Sequence, residues 1–234
     1  SGPAGEHYRN SFTEPLTQRI TGGSELQGLA AESWEAVDGN PAHWRFKIRK
    51  GIEFHNGEQF DAHAAVTDIN FLKEPARGMI YAESVGGPHE AIAVDDYTLD
   101  IKCEGPCPLA PSGMRFTHFA APEWYTNASE EERRSKFITS GPYKFVSWDR
   151  GVSIKAEPFE NYWQGEAKAF PEVTIVWRSE DTVRAAMVKT GEADWAFDVG
   201  PGNIDNVPKV AVGESSEVVI LKINSKHREP FKEP

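Results

Sequence analysis

The alternation of apolar and polar residues on either side of Asp38-Gly39-Asn40-Pro41 constrains the fold more than any other feature. Before it, Trp34 and Ala36 share one face of a strand. After it, Trp44, Phe46 and Ile48 do the same. A period of two on both sides of a turn-forming tetrapeptide predicts a hairpin over 31–37 and 44–49, and Gly51 ends its second strand.

The rest of the chain continues in short mixed elements, with no internal repeat. Asp61 suits an N-cap, and Ala62, Ala65, Val66, Ile69 and Leu72 follow at helical spacing, with Pro75 as the stop. Residues 91–94 and 97–102 read as a second hairpin around Asp95-Asp96. Tyr97, Leu99 and Ile101 point one way, and Thr98, Asp100 and Lys102 point the other. Pro122 suits the first turn of a helix running to about Lys136. Within it, Asn127-Ala128-Ser129 is a glycosylation sequon too short to be informative. Strands at 143–147 and 152–157 are joined by Asp149-Arg150-Gly151, and Asn161-Tyr162-Trp163-Gln164-Gly165 forms an aromatic turn.

The last third carries the functional signal. Val173, Ile175 and Trp177 alternate as a strand. Asp181 opens a helix carrying Val183, Ala186, Met187 and Val188, and Gly191 closes it. Ala193, Trp195 and Phe197 alternate again, which predicts a parallel strand-helix-strand unit with a right-handed crossover. In such sheets ligands sit beyond the carboxyl ends of strands. That points to Arg178-Ser179 and, more strongly, to Phe197-Asp198-Val199-Gly200, with Trp195 and Phe197 on the strand face leading to that edge and Asp198 a natural partner for a ligand amine. The competing readings are a packed aromatic strand and a loop-capping Asp. Val218-Val219-Ile220-Leu221 reads as a buried strand.

The net charge of −11 repels phosphate backbones, so nucleic acid is not an expected partner. Arg45, Lys47, Arg49 and Lys50 alternate with apolar residues and read as a solvated sheet face with Lys50 at its end. No window approaches the ~20 apolar residues of a membrane helix, and no signal pattern opens the sequence. The two cysteines, Cys103 and Cys107 in C-E-G-P-C, fit either a disulfide in an oxidising compartment or two buried thiols. They cannot form a zinc site, since no His pair stands at ligand spacing. No nucleophile elbow, zinc helix or phosphate loop is present. His55 has no orienting neighbour in sequence and reads as a turn residue. Glu130-Glu131-Glu132 reads as a solvated helix face, and Trp34, Trp44 and Trp177 as core. No catalytic residue, metal or cofactor is expected.

Several segments together carry a family resemblance. These are Leu29-Ala30-Ala31-Glu32-Ser33-Trp34-Glu35, then Trp44 through Gly51, then Phe54-His55-Asn56-Gly57-Glu58-Gln59-Phe60-Asp61-Ala62. Val94 through Leu99, Ser140 through Phe145, Asn161-Tyr162-Trp163, Gly191-Glu192-Ala193-Asp194 and Asn224 through Phe231 follow in order. In this arrangement the chain resembles the family 5 extracellular solute-binding proteins of ABC importers, which include oligopeptide, dipeptide and nickel binders.

The resemblance implies an α/β fold, a mixed-sheet lobe of the periplasmic-binding-protein-like type II class. It implies a tail or partial strand over 1–25, an inserted α+β subdomain over 26–137 and the lobe core over 138–224. Residues 225–234 would begin a crossover to a second lobe, so a first-lobe fragment holding half the contacts of an interlobe cleft is expected. It further implies a monomeric, periplasmic or membrane-anchored extracellular protein that binds a small molecule or peptide and passes it to ABC permease membrane subunits. Nickel chelates, sugars and opines stay open as ligands. A secreted carbohydrate-active hydrolase is the competing reading, and it would need paired carboxylates beside an aromatic groove. A cytoplasmic sensor built on the same lobe is a third, and it lacks a helix-turn-helix pattern here.

Overall fold

The computed structural model describes residues 11–19, 25–72, 89–165, 170–205, 207, 209 and 210. The expected strand at 218–221, the Pro75 stop and the Asn224–Phe231 segment lie outside them. Strands β1 (Thr17–Arg19) and β2 (Leu26–Gly28) form a two-stranded ribbon. Strands β3 (Ala31–Ala36), β4 (His43–Ile48), β5 (His89–Asp95) and β6 (Thr98–Cys103) form an antiparallel sheet in the order β3-β4-β6-β5. Strands β7 (Tyr143–Asp149), β8 (Ser153–Pro158) and β9 (Val173–Val176) form a second antiparallel sheet in that order.

Both expected hairpins form. Trp34 faces Phe46 across β3 and β4, Phe46 faces Leu99 on β6, and Leu99 faces Ala93 on β5, so one row of apolar residues crosses the whole sheet. Helix α1 (Ala62–Leu72) covers this row, packing on β5 and β6. Asp61 caps it by accepting from the Ala64 N–H at 2.8 Å. Phe46, Phe54, Phe60, Phe119, Leu99, Ile101 and Ile69 are fully buried there. Each contributes about 1.5–3 kcal/mol by leaving water.

The opposite face of this sheet carries a buried polar row. Thr98 and Asp100 are buried, at 3% exposure each, beneath longer side chains from β4. Arg45 grips Asp100 through Nε at 2.7 Å and Nη2 at 2.8 Å, His43 Nε2 meets the same carboxylate at 2.7 Å, and Lys47 donates to Thr98 at 2.9 Å. Cross-strand register places Arg45 opposite Asp100 and Lys47 opposite Thr98, with His43 reaching Asp100 diagonally, so the basic row covers the acidic and hydroxyl row. The Arg45 guanidinium and His43 hold the Asp100 carboxyl below its ordinary range against the opposing cost of burial.

Three departures from the expected pattern have local causes. The helix expected from Pro122 to Lys136 is two helices. A one-turn α2 (Ala110–Gly113) comes first, followed by α3 (Pro122–Asn127) and α4 (Glu130–Ser135). Ser129 starts α4 with a capping box, its Oγ accepting from Glu132 N–H while Glu132 reaches back to Ser129 N–H. Trp177 lies 36% exposed past the end of β9 rather than in the core. Helix α5 (Asp181–Thr190) buries Ala185 and Met187, whereas Val183 and Ala186 face out.

The largest departure is at 193–197, where no strand forms. Among the described residues β9 pairs with β8 alone, and no parallel pair exists. Gly191 closes α5 at φ 77°, and the N–H groups of Glu192 and Ala193 turn back on the Met187 carbonyl at 2.9 and 3.1 Å. These backbone groups are therefore satisfied by the helix end and are not available to a ladder.

The segment 11–16 ties the two sheets together. Phe12 joins Tyr143, Ile154 and Ala156 in a second core. Gly141 N–H and Thr139 Oγ1 both donate to the Phe12 carbonyl, at 2.8 and 2.5 Å. A Cβ on Gly141 would collide with that carbonyl and approach Thr13 N to 2.6 Å, which explains the glycine in Ser140-Gly141-Pro142. Cys103 and Cys107 are bonded across a Cα–Cα distance of 6.4 Å. Their loop accepts Trp44 Nε1–H at the Cys107 carbonyl, 3.1 Å away.

Candidate functional site

Each of the four residues singled out from sequence lies on the loop after α5. Trp195 is 68% exposed and Phe197 41%, and their ring centroids stand 5.5 Å apart at 39°. Asp198 is exposed and adopts φ 54°, a left-handed backbone that Asp tolerates better than most residues. Val199 is half-buried. The exposed carboxylate of Asp198 makes no hydrogen bond among the described residues, so it is free to take one from a solute.

The loop lies beside Arg178-Ser179, the other segment that the strand-end argument selected. The link is a side chain that the sequence reading passed over. Arg184, on the first turn of α5, donates from Nη1 to the carbonyls of Arg178 (2.7 Å) and Ser179 (2.8 Å). It also donates from Nε to Phe197 (3.1 Å) and from Nη2 to Asp198 (2.7 Å). Asp181, three residues earlier, accepts from Gly200 N–H at 3.0 Å and Asn203 Nδ2 at 2.8 Å. The Asn203 amide, then the Gly200 N–H, hold the Asp181 carboxyl below its ordinary range. A carboxylate and a guanidinium at i and i+3 are easily read as a surface ion pair, so sequence gave no sign that both reach backbone.

An open groove of about 930 Å³ lies elsewhere, where the end of β4 meets the Asp95–Thr98 turn, Glu32 and Trp163. Its cations are already engaged. Arg49 stacks on Trp163 at 4.5 Å, Lys50 lies over Tyr97 at 5.0 Å, and Lys47 donates to Thr98. Beneath it, the buried Glu14 accepts from Tyr162 Oη and Trp163 Nε1, each at 2.5 Å. Burial pushes the Glu14 carboxyl up to about 7 against those two hydrogen bonds and the Arg49 charge. These groups bind one another, which makes them a structural knot joining residue 14 to the aromatic turn at 161–165.

His55 is also structural. Its Nε2 meets the Gly141 carbonyl at 2.9 Å and its ring packs edge-on to Phe159 at 4.9 Å. Burial lowers its pKa to about 4. The orienting partner is 86 residues away in sequence, which is why local reading found none. Among the described residues no cluster of His, Cys, Asp or Glu is arranged to hold a metal ion.

Comparison with known proteins bears on the fold and the family. The chain is 28% identical over 183 residues to the glutathione-binding protein GsiB of Escherichia coli O1:K1, an alignment covering 75% of this chain and 34% of that protein. The chain thus spans about a third of the length of the curated relatives it matches. The structure of Burkholderia pseudomallei OppA superposes with a TM-score of 0.70 at 22% identity, covering 82% of this chain and 41% of that one. NikA from Brucella suis, solved with Fe(III)-EDTA, gives 0.62 at 26% identity over 80% of this chain and 38% of that one. These likenesses place the fold as an α/β lobe of the periplasmic-binding-protein-like type II class. Residues 25–234 match the model of the bacterial extracellular solute-binding proteins, family 5 Middle, a group of binding proteins rather than enzymes, and the chain belongs to that family.

Proposed function

We propose that this protein is the extracytoplasmic solute-binding component of an ABC importer, and that Trp195, Phe197, Asp198 and Val199 form part of the wall that holds its solute. The observation that carries the reading is the loop itself. Two exposed aromatic rings and an unpaired carboxylate sit together on a segment whose Phe197 and Asp198 carbonyls are held by Arg184. An apolar shelf next to a carboxylate suits a solute with an ammonium group and an apolar body. Peptides are the leading class, which accords with a glutathione-binding relative and an OppA-like fold. The solute would be delivered to membrane permease subunits. The bonded Cys103 and Cys107 suit an oxidising, extracytoplasmic compartment. Residues 26–137 would form the inserted subdomain and 138–224 the lobe core.

The test is the unfolding midpoint of the chain with di- to hexapeptides, glutathione, histidine-chelated nickel or an opine at millimolar concentration. A solute that binds the folded state raises the midpoint. Because the chain is expected to hold half of the cleft's contacts, the expected result is a small rise with an amine-bearing class, reached at the high end of the concentration range and abolished by Asp198→Asn. No rise with any class, or a rise that Asp198→Asn leaves intact, overturns the reading.

A further inference from the structure

We infer that Arg184, together with Asp181, is the positioning residue of the solute wall, setting the orientation of Trp195, Phe197 and Asp198 without touching solute itself. The inference rests on the reading of that loop as the solute wall. Residues 193–199 have no strand ladder to fix them. Their place is taken by one guanidinium, whose planar fork offers five N–H donors. Four carbonyl oxygens from two separate segments accept from it, at 2.7, 2.8, 3.1 and 2.7 Å.

Three of these features depend on one another. Arg184 holds the carbonyls of Phe197 and Asp198, which flank the left-handed Asp198 backbone at φ 54°. Asp181 holds the Gly200 N–H just beyond. A Cβ at position 200 would stand 2.9 Å from Asp181 Oδ2, so a glycine there allows the close approach. The first turn of α5 therefore grips the loop on both sides of the candidate carboxylate. A lysine at 184 places a single nitrogen where three are used and cannot span both segments.

The test compares the 234-residue chain with Arg184→Ala, Arg184→Lys and Asp181→Asn by amide hydrogen exchange, thermal midpoint and affinity for glutathione and a mixed dipeptide pool. Asp181→Asn, acting directly on the Gly200 N–H, and Arg184→Ala, acting through the loop carbonyls it holds, are each expected to speed exchange at the Gly200 amide by about tenfold or more, and Arg184→Ala to weaken binding of whichever probe the parent chain binds by about tenfold. The midpoint should move little, and Arg184→Lys should restore neither exchange nor affinity. Unchanged exchange in Arg184→Ala, or full rescue by lysine, overturns the positioning role alone. Failure of every probe to bind the parent chain overturns the solute reading, and with it the role assigned here.

Discussion

Replacing Glu14 by Gln should flatten a specific part of the pH dependence of stability. Glu14 is 1% exposed, and its carboxyl titrates near 7 in the folded chain against 4.5 when unfolded. A raised folded pKa means that the folded state holds the proton more tightly. The stability it contributes is fully present below pH 4.5 and is lost as pH rises through 7. Integrated between pH 5 and pH 8, that loss is about 2.5 kcal/mol. Asp68, also buried and pushed up to about 7, adds a loss of the same sign, and His55 opposes both. All three act in the parent, so its net slope is not diagnostic. The difference between the parent and Glu14→Gln isolates the Glu14 contribution, because Asp68 and His55 are common to both. Glutamine keeps an acceptor for Tyr162 or Trp163 and has no proton to exchange. Urea unfolding at pH 5 and pH 8 measures the effect, with slopes compared at constant m-value. The parent should lose about 2.5 kcal/mol more than Glu14→Gln on going from pH 5 to pH 8. Equal losses in the two proteins would refute the reasoning, because they would mean that the carboxyl is not neutral in the fold.

Other substitutions test other parts of the structure. His55, with its folded pKa near 4 against 6.5 unfolded, contributes stability present above pH 6.5 and lost as pH falls toward 4. His55→Asn should remove a loss of about 2 kcal/mol between pH 7 and pH 5, read from the same urea curves. Gly141→Ala should cost about 2–3 kcal/mol through its collision with Phe12. Gly105→Ala, with open space around its Cβ, should change stability by less than about 1 kcal/mol in calorimetry. Reducing the Cys103–Cys107 bond should cost about 2 kcal/mol, the loop-closure entropy of so short a ring, seen as a lower thermal midpoint with reductant.

Local periodicity was enough to find the hairpins around Asp38 and Asp95, the Asp61 cap and the Gly191 stop. In each, the pattern and the turn chemistry lie within a few residues of one another. The same reasoning misplaced 193–197, because alternation of Ala193, Trp195 and Phe197 cannot reveal that the helix end and Arg184 already hold the backbone. It separated Thr98 and Asp100 from the Leu99 face but could not show that they are buried, since burial of that face depends on long basic side chains from another strand. Residues 195–199 were legible as a candidate site paired with Arg178-Ser179, though as the end of a strand rather than an exposed loop, and the device that joins the two segments was not. Glu14 was invisible for a related reason. Its partners stand 148 and 149 residues away, and nothing near Glu14 in the chain marks it as buried.

The central claim is that solute meets the chain at the 195–199 loop and not at the groove beside Trp163. Mapping of backbone amide and indole N–H chemical shifts during titration with glutathione and short peptides tests it directly, and it detects weak binding as well as strong. The expected result is a saturable set of shifts at the Trp195 indole and the amides of Phe197, Asp198 and Val199, with Arg49, Lys50, Tyr97 and Trp163 unmoved. Shifts confined to Arg49, Lys50, Tyr97 and Trp163, with the Trp195 loop silent, would contradict it.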